Sequence, residues 1–140
     1  MQVEKEISYI RFIVRELSFE QFKDGSKKQA NEVSELKLKL GYGEPSIEQR
    51  KQNKFVAMPF KCLLQDESNF TLSCLFDLGF EVPESVNTAE EYKKIVNENK
   101  EYFLKYIKDS INKIISSAMQ NTAFQINEVF DIPPFEYNNL

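Results

Sequence analysis

Histidine and tryptophan are both absent from the 140 residues. Without an imidazole, no Ser-His, Cys-His or His-metal site can be assembled. Glycine is nearly as scarce: Gly25, Gly41, Gly43 and Gly79 are the only four. A loop that cradles phosphate needs glycines close together so that backbone N–H groups converge, and no such loop is encoded. The two cysteines, Cys62 and Cys74, form no C-x-x-C pair. Both lie in apolar, strand-like runs and read as buried structural thiols in preference to a redox pair. No apolar run approaches the ~18 residues of a membrane span, so no membrane insertion is expected. The N-terminal stretch from Met1 to Tyr9 is charged where a secretory signal would be apolar, which predicts a cytoplasmic protein.

What is present suits one folded domain. Apolar residues make up 41% and charged residues 29% of the chain, a globular composition. The net charge of −4 argues against DNA or RNA as the main partner, because phosphate binding needs a basic surface. Lysines are scattered, and the short clusters Lys27-Lys28 and Arg50-Lys51 read as solvated surface. Twelve Phe and six Tyr are a heavy aromatic load. Most must be core, and a surplus would leave an adhesive apolar surface.

Hydrophobic spacing predicts the elements. Residues 6–20 are rich in Ile, Val, Phe and Tyr but change phase near Ile13-Val14, as a long strand with a bulge would. Residues 21–33 are polar and read as a connection. In residues 35–42, Leu36, Leu38, Leu40 and Tyr42 fall on one face, with Lys37 and Lys39 on the other, the pattern of a half-buried strand. Residues 43–53 read as a polar loop. Residues 54–65 are apolar on both faces, although Pro59 suggests an edge or a bulge. After a turn at 66–69, residues 70–82 alternate without a break. Four strands joined by polar loops imply an antiparallel sheet.

Beyond Pro83 the period becomes helical. Thr88 and Glu91 form a capping box. Tyr92, Ile95, Val96, Phe103, Tyr106, Ile107, Ile111, Ile114, Ile115 and Ala118 then form one stripe. Unbroken, the helix would run roughly 30 residues, or about 45 Å, longer than a small domain is wide. Asn97-Glu98-Asn99 interrupts the stripe, which leaves two consecutive helices open. In the tail, Phe124, Ile126, Val129, Phe130, Ile132 and Phe135 surround Pro133-Pro134. The double proline ends any helix, and the apolar density predicts a packed segment.

Two stretches, Glu16-Leu17-Ser18-Phe19-Glu20 and Glu35-Leu36-Lys37-Leu38-Lys39-Leu40, resemble in order the opening strands of SecB, the protein-export chaperone family. The segment from Tyr106 to Ile115 and the proline-containing tail from Phe124 to Phe135 are similar to that family's helix and closing segment. The resemblance implies an α+β fold: a four-stranded antiparallel sheet, a long helix, broken or not, and a packed tail. It implies a homotetramer, a dimer of dimers with the helices between two sheets. It also implies an ATP-independent holdase, with no catalytic residue, nucleotide, metal or other cofactor, that binds unfolded client polypeptides. Leu36, Leu38 and Leu40 match positions lining a client-binding groove; their plain alternative is burial under the helix. Glu16 and Glu20 match acidic positions that dock the SecA motor; their plain alternative is a pair of solvated carboxylates.

This sequence also departs from the pattern. Cys74 stands where the family has a further acidic docking residue, and Lys105 replaces a proline before Tyr106. These changes touch docking more than client binding, and so suit the SecB-like chaperones that protect antitoxins in toxin–antitoxin systems. A content rich in Lys, Asn and Ile fits an AT-rich bacterial genome. A reading from another class is a protein-interaction or ligand-binding module on the same scaffold, without general chaperone activity. An enzyme is not expected. Asp77 and Glu81 are four apart on one strand face, but a polar strand face explains them.

Overall fold

A computed structural model describes residues 1–22, 36–66, 69–120, 122, 130–133 and 135–138. The expected connection over 23–33, Glu35, residues 67 and 68 of the expected turn, and the tail positions Phe124, Ile126 and Val129 lie outside the described residues.

A short helix α1 (Val3–Glu6) leads into β1 (Ser8–Gln21), β2 (Leu36–Tyr42), β3 (Ser46–Arg50), β4 (Asn53–Asp66) and β5 (Phe70–Val82), followed by α2 (Ala89–Glu98) and α3 (Lys100–Met119). The α+β class and the antiparallel sheet agree with the sequence reading, but among the described residues the sheet has five strands, not four. The order is β1-β5-β4-β2, with β3 also paired to β4. β3 falls in the segment expected to be loop. Only Ile47 among its five residues is apolar, so no alternation announces it.

β4 and β5 carry the fold. They pair without interruption from Lys54↔Val82 to Asp66↔Phe70. Val56, Met58, Phe60, Cys62 and Leu64 on β4, and every second residue from Phe70 to Val82 on β5, point to one buried face. The helices cover this inner face. Phe103 packs edge-on against Phe80 at 5.1 Å, and Tyr106 stacks on Tyr9 at 4.4 Å. The Tyr92 hydroxyl donates to the Met58 sulfur, and the Tyr102 hydroxyl donates to the carbonyl of Ile7.

Pro59 lies in a central strand, where its missing N–H should leave a gap in the ladder. The gap is absorbed by the change of neighbour along one edge of β4. β2 pairs up to Tyr42↔Phe60 and β3 takes over from Ser46↔Ala57. The carbonyl of Pro59 accepts from Gly43 N–H at 3.1 Å. The side of the residue that lacks a donor therefore faces the corner between the two strands.

β1 carries two register shifts, between Tyr9 and Arg11 and between Val14 and Glu16. The second accounts for the phase change seen in the sequence; the first adds an unforeseen extra residue at Ile10. In the helical region the interruption is real. Asn99 leaves helical geometry, and its side-chain amide donates to the carbonyl of Ile95 at 2.8 Å. The capping box forms through Glu91 N–H to Thr88 Oγ1 at 3.1 Å, while the Glu91 carboxylate reaches back to Asn87 N–H.

The aromatic surplus does not make the exposed apolar surface. Most described aromatic rings are buried or half-buried. The exposed large apolar side chains among the described residues are mainly aliphatic, with Ile10, Ile13, Val14 and Leu17 all on β1.

Candidate functional site

β2 pairs with the outer edge of β4 in the register Leu36↔Asp66, Leu38↔Leu64, Leu40↔Cys62 and Tyr42↔Phe60. Residues paired across antiparallel strands share a face. The three leucines and Tyr42 therefore lie on the inner face, while Lys37 and Lys39 occupy the other and are exposed. Leu36, Leu38 and Leu40 are half-buried and pack against the flank of the core. They are neither a free surface nor the sealed interior, but an apolar margin on an edge strand.

Tyr42 ends this stripe at a seat for residues 135–138. From Phe135 to Asn138 the side chains alternate buried, exposed, buried, exposed. Phe135 lies edge-on to Tyr42 at 4.9 Å and 5.5 Å from Phe60, and Tyr137 lies 5.4 Å from Tyr42. The Asn97 side chain both donates to the Tyr137 carbonyl and accepts from its N–H, each at 2.8 Å. The Tyr42 hydroxyl donates to the carbonyl of Glu136. Lys93, bonded to Glu44, lies over the Tyr137 ring at 5.9 Å, and Lys100 pairs with the Glu136 carboxylate at 3.1 Å. Burial first, then the nearby Glu44 and Tyr42, pushes the Tyr137 phenol well above its usual range. Further up the tail, Asn112 Oδ1 accepts from Phe130 N–H. Asn97 and Tyr137 were not singled out from the sequence. Asn97 looked like a break in the apolar stripe, and a lone asparagine gives no sign of what it bonds.

Glu16 and Glu20 are exposed on the opposite face of the sheet, at its opposite edge. Their partners on β5 are Leu75 and Thr71, which alternate with the buried residues. The two carboxylates stand about 13 Å apart along the strand. The structure thus separates the two predicted sites by the full width and thickness of the sheet. Cys74 cannot stand in for an acidic docking residue on that face, because it points inward and is buried. Asp77 is on the outer face, two residues from Leu75, where it pairs with Arg15 at 3.1 Å. Glu81 is also on the outer face, about 13 Å along the strand, too far to work with Asp77 as paired carboxylates.

The same outer face carries an open groove of about 360 Å³. Ile13, Phe55, Ala57 and Gly79 line it, and Arg11 and Glu48 are among its charged residues. Cys62 and Cys74 are direct cross-strand partners. Burial, then the neighbouring Cys74, pushes the Cys62 thiol up to about 12, and burial raises Cys74 as well. Neither is a reactive thiolate near neutral pH. Among the described residues, no group of three or more His, Cys, Asp or Glu is placed to hold a metal, and no helix is long and apolar enough to cross a membrane.

The sheet order, the paired central strands and the two consecutive helices define a SecB-like α+β fold. Among solved structures, the chain is similar to the Mycobacterium tuberculosis Rv1957 SecB-like chaperone in complex with a ChAD peptide from the Rv1956 HigA1 antitoxin. The match covers 97% of this chain and 96% of that one, with a TM-score of 0.52 and 10% identity. No protein-family model matches the sequence, and no curated protein sequence matches it.

Proposed function

We propose that this protein is an ATP-independent holdase that binds aggregation-prone polypeptides, and that it acts as a binding protein, not an enzyme. The observation that carries this reading is the apolar margin of β2. Leu36, Leu38 and Leu40 line one face of an edge strand, half-covered, in a fold whose solved neighbour binds an antitoxin peptide. An edge strand offers main-chain pairing and its alternate side chains offer apolar contact, which together suit an extended client. Binding the unfolded state competes with aggregation by mass action and needs neither nucleotide nor metal. An antitoxin is the favoured client. Glu16 and Glu20 are then the contact for a basic partner segment, SecA or another. A dimer-of-dimers tetramer is supported by β1, whose Ile10, Ile13, Val14 and Leu17 are exposed along an outer strand.

The test is suppression of aggregation of a denatured protein without ATP, comparing the full chain with the Leu38→Ser, Leu40→Ser double variant. Capture should fall about tenfold in the variant, and equal suppression by both proteins would overturn the site. Light scattering should give the mass of four chains, and a monomer at tens of micromolar would overturn the tetramer. The second reading, a ligand-binding module, is favoured by the outer-face groove beside Ile13 and Phe55. It predicts no suppression at all.

A further inference from the structure

The seat beneath Phe135 and Tyr137 recognises its occupant in a way that does not depend on being part of the same chain. Asn97 presents a donor and an acceptor to the N–H and carbonyl of one residue, and Tyr42 donates to the next carbonyl back. Contacts of this kind read the main chain, as a neighbouring strand would, and accept any sequence. Selectivity comes from the alternate side chains. Phe135 and Tyr137 are both buried, while Glu136 between them turns outward to Lys100.

The fit is incomplete at one atom. The Tyr137 hydroxyl is buried and has no hydrogen-bond partner among the described residues. A buried unpaired hydroxyl is a net cost, so residues 135–138 are not the best occupant their own seat can take. The seat adjoins the end of the leucine stripe, because Tyr42 belongs to both.

We infer that this seat is a binding site for an extended polypeptide segment of the pattern aromatic–acidic–aromatic, and that residues 135–138 are its resident, exchangeable occupant. The biological role of the exchange rests on the client-binding reading; the seat itself does not. An incoming segment with phenylalanine at the second aromatic position leaves no orphan hydroxyl and displaces the resident. The basic Lys100 selects an acidic residue between the aromatics.

The probe is a fluorescent peptide copying residues 130–138, followed by anisotropy against the full-length protein. In the native chain the seat is filled and binding is weak. The Phe135→Ala, Tyr137→Ala double variant empties it, and the peptide should bind at least about tenfold more tightly. Adding Asn97→Ala should remove about tenfold of that affinity, the equivalent of one lost hydrogen-bonding partner. A peptide carrying phenylalanine at its Tyr137 position should bind several-fold more tightly than the copy. No gain on emptying, a gain that survives Asn97→Ala, or equal binding of a peptide with its aromatics adjacent would each overturn the proposal.

Where the emptied variant does not fold, the native chain decides. Saturating peptide should speed hydrogen exchange at the Tyr137 amide, and unchanged protection overturns the exchange. A protein that takes the peptide but suppresses no aggregation retires the chaperone reading and keeps the seat. One that suppresses aggregation with no peptide affinity does the reverse.

Discussion

The middle of the inner sheet face and its two margins are built from similar residues but differ in cover. On β4 and β5, Met58, Leu64, Phe76, Leu78 and Phe80 are fully buried. On β1, Val14 and Leu17 share that face by register, opposite Phe76 and Cys74, yet remain 40% and 49% exposed. On β2, Leu36, Leu38 and Leu40 are half-buried. The cause is dimensional. A helix is about 10 Å across and neighbouring strands lie about 4.8 Å apart, so a single layer of consecutive helices covers about two strands. Sequence alternation marks the inner face on β2 and β5. It does not say how far the helices reach across it. Stability should thus reside in the middle and binding at the edges.

The largest effect should come from the middle. Phe80 is fully buried and contacts the rings of Tyr9, Phe103 and Tyr106. Phe80→Ala should cost about 3–5 kcal/mol in denaturant unfolding. The Leu38→Ser, Leu40→Ser variant touches two side chains but starts from partial burial. It should cost only about 2 kcal/mol in total, while client capture falls. A loss as large as that of Phe80→Ala would erase the distinction between middle and margin.

A third outcome concerns alkaline pH. The Cys62 thiol is raised from 9.0 to about 12, so the folded state keeps a proton that the unfolded chain releases. Stability from this group is whole below about pH 9 and is lost as pH rises from there toward 12. Cys62→Ala should flatten the fall in melting temperature across that window, and an unchanged slope would show that the thiol does not contribute. The smallest effect on folding belongs to the outer face. Reversing Glu16 and Glu20 to Lys should shift stability by no more than about 1 kcal/mol and abolish binding to a basic partner segment. Unfolding of that variant would give the carboxylates a structural role.

Legibility in the sequence followed the strength of each local signal. β5 was readable from Phe70 to Val82 because its alternation is unbroken, and Thr88 and Glu91 marked the first long helix by their spacing. The break at Asn99 was visible as a gap in the apolar stripe. β3 was not, because one isoleucine in five residues makes no pattern, and pairing with β4 supplies what propensity does not. The bulge at Ile10 escaped because one extra residue in an apolar run changes no composition. Of the candidate site, the shared face of Leu36, Leu38 and Leu40 was legible, and their depth was not. The seat for Phe135 and Tyr137 was hidden altogether, since Asn97 and Tyr137 stand 40 residues apart and meet only in the folded chain.

The placement of β1 has a consequence for the newly made chain. Its hydrogen-bonded partner is β5, from Ser8↔Glu81 to Gln21↔Phe70, so the strand waits for about 50 to 70 further residues before it can pair. At a synthesis rate of about 5–20 residues per second that interval is several seconds. Throughout it, Ile10, Ile13, Val14 and Leu17 have no sheet to join. Of the five described strands, the one made first is thus among the last to find its place, and for those seconds the nascent chain is itself an extended apolar segment in need of cover.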